Sequence, residues 1–170
     1  SVTTINANAF KGNNITSITI PSTVTNIKDG AFSQMKGLTS INVEIGSAKY
    51  SATDGVLYEN RSEGKFLISY PVAKQGTAYG VGGEEFTVPE GVVGIATNGF
   101  QCAATLTRIN LPTTLTQLPT TNEANGFTSA TNLKEIKVAS GNTAFKDIDG
   151  VVVTSDGKKL IAYPNNKGGI

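Results

Sequence analysis

The chain has 170 residues, 38% hydrophobic and 16% charged, with 14 Lys and Arg against 13 Asp and Glu. That is enough apolar material for one compact domain or one stretch of a repeat array. A formal net charge of +1, with no long basic run, lacks the electrostatic footprint that nucleic acids or anionic membranes attract, so neither is expected as a partner.

No apolar run approaches the roughly 20 residues of a membrane helix. Ser1 is not followed by the basic start and apolar core of a signal peptide, so any targeting segment is expected to have been removed already. A lone Cys102 rules out a disulfide framework.

Read in chain order, the elements repeat. Phe10 and Ile15 lead into Ile18-Thr19-Ile20-Pro21, followed by Val24, Ile27 and Phe32; Leu38 then leads to Ile41-Asn42-Val43. The same skeleton returns as Phe86-Thr87-Val88-Pro89 with Val92, Ile95 and Phe100, and as Ile109-Asn110-Leu111-Pro112 with Leu115, Leu118 and Phe127. Leu106 and Leu133 stand six residues after Phe100 and Phe127, and Ile136-Lys137-Val138 completes the last copy. In the third Pro-containing copy an insertion, Pro119 to Phe127, delays the Phe by four residues. The unit closes at about 22 to 23 residues, a solenoid period.

Alternation such as Ile-Asn-Val puts apolar side chains on one strand face, so stacked coils predict a short-stranded parallel sheet with its inner face as core. Pro after the strand removes an amide donor where pairing should stop. Stretches such as Asp29 to Leu38 and Asn98 to Leu106 predict one or two helical turns with an Asp or Asn cap on the outer side of each coil.

A longer repeat overlies this one. Asp54 to Gly76 returns as Asp149 to Gly169: Asp-Gly, an apolar trio, a polar turn, and an apolar stretch ending in Tyr-Pro. Ser155-Asp156-Gly157-Lys158 between apolar arms predicts a β-hairpin with a type I′ turn. Each half thus reads as two coils followed by an inserted hairpin. The expected organisation is a single domain over 1–170, with super-repeats at about 1–76 and 86–170 joined by a mobile Gly-rich loop, 76–85.

The segments "LTSINV", "ITIPSTVTNIKDGAF" and "DGVLYENRSEGKFLISYP" resemble the BspA-like leucine-rich-repeat surface proteins of anaerobic bacteria and some parasitic protists, over nearly the whole chain. The resemblance implies right-handed leucine-rich-repeat-like coils in a secreted or outer-surface protein that attaches to a partner. It fits a piece of a longer surface protein or a small member of the family. Thr23, Gly46, Thr114 and Gly141 occupy the place where familiar leucine-rich repeats carry Asn, which favours a flatter, β-rich coil over a regular horseshoe.

Chemistry is sparse. The absence of His removes Ser-His-Asp and Cys-His arrangements and the commonest metal ligand. Cys102 reads as a packing residue. In "FKDIDG" Gly150 follows Asp147 by three residues, too soon for a calcium loop, and "YGVGGEE" lacks both phosphate-binding and dinucleotide fingerprints. Glu84 and Glu85 are adjacent and would point to opposite strand faces, unable to flank one glycosidic bond. No catalytic residue, metal or cofactor is expected.

If the apolar pairs point inward, Ser17, Thr19, Ser40, Asn42, Arg108, Asn110, Glu135 and Lys137 point outward as a candidate binding row, with Tyr58 as a rival aromatic patch. Tyr70 and Tyr163 are expected to pack the hairpins onto the coils. The favoured expectation is a non-enzymatic module binding an extracellular protein or glycan. The alternatives are a polysaccharide-active β-helix working with carboxylates alone, and a structural spacer.

Overall fold

The computed structural model describes residues 1–80, 82–119 and 126–168. Its strands in chain order are β1 (Thr4–Ile5), β2 (Ser17–Ile20), β3 (Asn26–Ile27), β4 (Ser40–Val43), β5 (Tyr50–Thr53), β6 (Val56–Arg61), β7 (Gly64–Ser69), β8 (Thr77–Tyr79), β9 (Gly83–Thr87), β10 (Val92–Ile95), β11 (Arg108–Leu111), β12 (Glu135–Val138), β13 (Phe145–Ile148), β14 (Val151–Thr154) and β15 (Leu160–Ala162). The result is a β-solenoid of about 6 turns.

Two rows of parallel pairing link the coils. The Ile-x-Ile-Pro segments pair as β2 with β4, and as β9 with β11 and β11 with β12, in unbroken register: Ile18 opposite Ile41, Ile109 opposite Ile136. The second segments pair as β1 with β3, and as β7 with β10, with a bridge from Gly94 to Gln117. The repeat skeleton fills the space between these rows. Leu38, Leu106 and Leu133 are each at most 1% exposed, as are Ile41, Ile109 and Ile136. Each such side chain contributes about 1.5–3 kcal/mol relative to exposure. Phe10 stacks on Phe32 at 5.8 Å and Phe100 on Phe127 at 5.6 Å.

Backbone groups at the coil edges find partners one coil away, and threonine hydroxyls reinforce them. Thr23 Oγ1 donates to the Val2 carbonyl at 2.6 Å, Thr39 to Thr16 at 2.9 Å, Thr107 to Glu84 at 3.0 Å and Thr114 to Val92 at 2.9 Å. Of these, Thr23 and Thr114 stand where familiar leucine-rich repeats carry Asn.

Two expectations are corrected here. No helix occurs among the described residues: the Phe segments are successive turns. Gly12, Gln34, Cys102 and Ser129, each two residues after a Phe, have φ of 73°, 59°, 60° and 60°, and a left-handed residue there stops helical propagation. The Gly-rich stretch 76–85 is not a loop. It forms a hairpin of β8 and β9 with Thr77 opposite Glu85 and Tyr79 opposite Gly83; residue 81 lies outside the described residues. The insertion at 120–125 likewise lies outside them.

The inserted units are three-stranded antiparallel meanders, β5-β6-β7 and β13-β14-β15. Their type I′ turns fall at Asp54-Gly55 (φ 49° and 71°) and Asp149-Gly150 (φ 49° and 75°). At Asp156-Gly157 only Gly157, at 75°, has positive φ, so that turn is not type I′.

The first meander divides the core. Leu57 belongs to the apolar cluster of the preceding coils, with Ile20, Leu38 and Ile41; Val56, Tyr58 and Leu67 belong to the cluster of the following coils, with Val92, Ile95 and Phe100.

Candidate binding face

Alternation along the strands turns the predicted polar row outward, but in two separate sheets. On β2 and β4, Ser17 lies opposite Ser40 and Thr19 opposite Asn42. Asn42 Nδ2 donates to Ser17 Oγ at 3.2 Å, and Ser40 Oγ to Asn42 Oδ1 at 3.5 Å. This patch is uncharged, and its hydrogen bonds run between its own short side chains.

The other four residues lie on β11 and β12, where Arg108 is opposite Glu135 and Asn110 opposite Lys137. Here the charge gathers. Arg108 Nη1 is 3.7 Å from Glu85 Oε2, and its Nε is 3.1 Å from Glu135 Oε1 but off the hydrogen-bond direction, leaving that shielded N–H without an aligned acceptor. Its guanidinium carbon lies 4.3 Å from the ring centre of Tyr79, which the β8–β9 hairpin brings over the sheet and which is 37% exposed. Asn110 Nδ2 donates to Thr87 Oγ1 at 3.0 Å and to Glu85 Oε2 at 3.2 Å.

Lys137 completes the row. Its Nζ donates to Asp147 Oδ2 at 3.0 Å and lies 3.9 Å from Glu135 Oε2. Asp147 also accepts from the Val138 N–H at 2.9 Å, closing the edge of β12 that no further parallel strand covers among the described residues. Burial would raise the Asp147 carboxyl, but the hydrogen bonds from Val138 and Lys137 outweigh it, and the group is held below its ordinary range.

Tyr58 does not belong to any exposed patch: it is 1% exposed, and burial, with the Asp54 charge behind it, pushes its hydroxyl up to about 12. Its ring faces the following coils, on the same side of β6 as Val56, while Leu57 between them faces the preceding coils, so both faces of the strand are core. Tyr70 packs as expected, 4.9 Å from Phe86 and 5.5 Å from Phe100.

Sequence reasoning did not single out Tyr79, Glu85, Thr87 or Asp147 as members of the face. Tyr79 and Glu85 sit on the hairpin read as a loop. Asp147 has Ala52 at the matching place of the first meander, so no repeat signal marks it.

A shallow cleft lies between the two halves, where the first meander separates the Phe32 turn from the Phe100 turn; it is lined by Asp29, Ser33, Glu59, Arg61, Asn98 and Gln101 among others. Glu59 in it is held by Lys49 at 3.0 Å and Arg61 at 2.6 Å. Burial raises this carboxyl, but these hydrogen bonds outweigh it and leave it lowered. Among the described residues no group of three or more His, Cys, Asp or Glu could hold a metal ion.

Comparison with known proteins agrees with this architecture. A leucine-rich cell surface protein from Faecalibacterium prausnitzii A2-165 superposes with a TM-score of 0.65 at 33% identity, over 79% of this chain and 32% of its own. A leucine-rich repeat protein from Eubacterium ventriosum ATCC 27560 gives 0.57 at 26% identity, over 80% of this chain and 39% of its own. The pneumococcal vaccine antigen PcpA gives 0.59 at 24% identity, over 72% and 27%, a likeness of fold alone. The chain therefore spans about a third of the length of the solved structures it resembles. No curated protein matches it. Six copies of the BspA type leucine rich repeat region match residues 1–56 and 79–149, and the chain belongs to that family.

Proposed function

We propose that the chain is a non-enzymatic binding module of a secreted or cell-surface protein, and that it engages a protein partner through the face formed by β9, β11 and β12. The supporting observation is the convergence of Arg108, Tyr79, Glu85, Asn110, Glu135 and Lys137 on one flat sheet surface. Neighbouring strands hold these side chains in fixed positions, so little rotamer entropy is lost on docking. Arg and Tyr are the residue types that carry most binding energy at protein interfaces. A flat, ion-paired surface suits a protein better than a glycan, which favours a groove with exposed aromatic rings.

The polysaccharide-active alternative needs a carboxyl held protonated as general acid. The carboxyls with a resolved shift, Glu59, Glu63, Glu90, Asp147 and Asp156, are all lowered, so that reading finds no support among them.

The test is an array of immobilised extracellular-matrix proteins, bacterial surface proteins and glycans, probed with the chain and with a variant carrying Arg108→Ala, Asn110→Ala and Lys137→Ala. A protein hit whose affinity drops about 30-fold or more in the folded variant supports the face. Silence from both chains, or binding indifferent to the substitutions, rejects it and leaves the spacer reading.

A further inference from the structure

The coil stack is interrupted inside the molecule, at the first meander. Where one coil directly follows another, the second segment and the turn after it are laddered to the next coil by backbone bonds. The N–H groups of Thr25 and Asn26 donate to the Thr3 carbonyl and that of Lys28 to Ile5, as those of Thr116 and Gln117 donate to Val93. The Phe10 N–H donates to the Ala31 carbonyl and that of Phe100 to Gly126, and the Ile95 N–H donates to Gln117 at 3.2 Å.

After Ile27 the meander stands in place of the next coil, and this ladder stops. The carbonyls of Thr25 and Ile27, counterparts of Thr3 and Ile5, have no partner among the described residues. Nor has the N–H of Phe32, the counterpart of Phe10 and Phe100. The Ile27 N–H, counterpart of that of Ile95, goes to a side chain instead: it donates to the Tyr50 hydroxyl at 2.9 Å. β3 thus has a strand, β1, on one edge only among the described residues.

The open edge, from Ile27 to Phe32, lines the cleft between the Phe32 and Phe100 turns. The meander adds Arg61, Ile68 and Val72 to the lining. The following coil adds Asn98, whose Nδ2 lies 3.9 Å from where a Cβ on Gly30 would stand. Both walls are described chain, so coils stacked beyond either end of this stretch would leave the cleft as it is.

We infer that the cleft takes an extended segment of a partner polypeptide, which adds as a strand to the open edge of β3. An extended backbone carries donors and acceptors at the spacing this edge requires, which elsewhere in the stack the next coil supplies. N–H groups of the segment donate to the Thr25 and Ile27 carbonyls, one of its carbonyls accepts from the Phe32 N–H, and an apolar side chain rests on Ile68 and Val72. Only a hydroxyl, that of Tyr50, competes for the edge. This is strand addition at a sheet edge, and it is independent of the face formed by β9, β11 and β12.

A phage-displayed library of random dodecamers, selected on the full chain, tests this. Affinities are measured on synthetic copies of the enriched peptides, and the Phe32 amide is followed by hydrogen exchange. The peptides are expected to slow exchange at Phe32 by about tenfold or more. Asn98→Trp, whose ring fills the cleft from the Phe100 turn, is expected to weaken them by about tenfold or more. Tyr50→Phe, which frees the Ile27 N–H, is expected to tighten them about fivefold, and it carries the test alone if the Asn98 variant does not fold. The variant with Arg108→Ala, Asn110→Ala and Lys137→Ala is expected to bind them unchanged. Failure to enrich any peptide, affinities indifferent to both cleft substitutions, or binding without added protection at Phe32 would each overturn the proposal.

Discussion

Asp147 shows how one side chain can end a sheet. Its carboxylate takes the Val138 N–H, which a further parallel strand would otherwise occupy, and anchors Lys137 on the outer face. Its folded pKa is depressed, so its contribution to stability is present above the unfolded value of about 3.9 and is lost as pH falls through the lower folded value. Asp147→Asn is expected to lower the urea midpoint at neutral pH and to flatten the acid limb of the midpoint-versus-pH curve below about pH 4, so that the two curves converge in acid; an unchanged acid limb would count against this role. Nothing in the sequence marked Asp147 for this, because the fold-defining repeat places Ala52 at its counterpart. Arg108, Asn110, Glu135 and Lys137, by contrast, were legible: a strand's period of two assigns outward residues once the inward ones are known. Tyr58 was misplaced for a different reason: β6 keeps the period of two, with Val56 and Tyr58 facing one apolar cluster and Leu57 the other, and a strand buried on both faces has no outward side for Tyr58 to occupy.

At the level of elements, the coils were readable because each must place the same apolar side chains against its neighbours, which fixes the spacing. The β8–β9 hairpin was not, since its strands carry Thr77, Ala78 and Tyr79, all exposed, against Glu84 and Glu85 and so display no apolar alternation. Its pairing rests on backbone bonds, on the Glu84 carboxylate accepting from the Gly76 N–H, and on Tyr79 covering Arg108. The meander turns answer to two constraints together. At Gly55 and Gly150 a Cβ would be strained by positive φ and would also meet Ser40 Oγ at 2.9 Å or Glu135 Cβ at 2.7 Å; at Gly46 φ is positive but the space is open. Gly55→Ala and Gly150→Ala are therefore expected to cost about 2–4 kcal/mol in urea unfolding, against about 1 kcal/mol for Gly46→Ala. Equal losses at all three sites would show that backbone conformation alone matters.

Across the whole molecule, stability is divided by the first meander. The buried residues before it form a smaller cluster, from Ile5 to Leu57, than those after it, from Val56 to Ala162. In a stack whose coils touch only their neighbours, the smaller cluster opens at lower free energy. Native-state hydrogen exchange is expected to show the ladder amides of β2 and β4 exchanging through a partial opening that leaves those of β11 and β12 protected. Identical exchange free energies in both groups would instead indicate one cooperative unit.

The direction of the coil-to-coil bonds has a mechanical side. Parallel pairing such as Ile18 to Ile41 and Ile109 to Ile136, and the threonine hydroxyls beside it, all run along the stack rather than across it. Tension applied between the two ends therefore loads these bonds in series. Under such tension the stack is expected to peel one coil at a time instead of shearing a whole sheet at once, so its length gives way in steps.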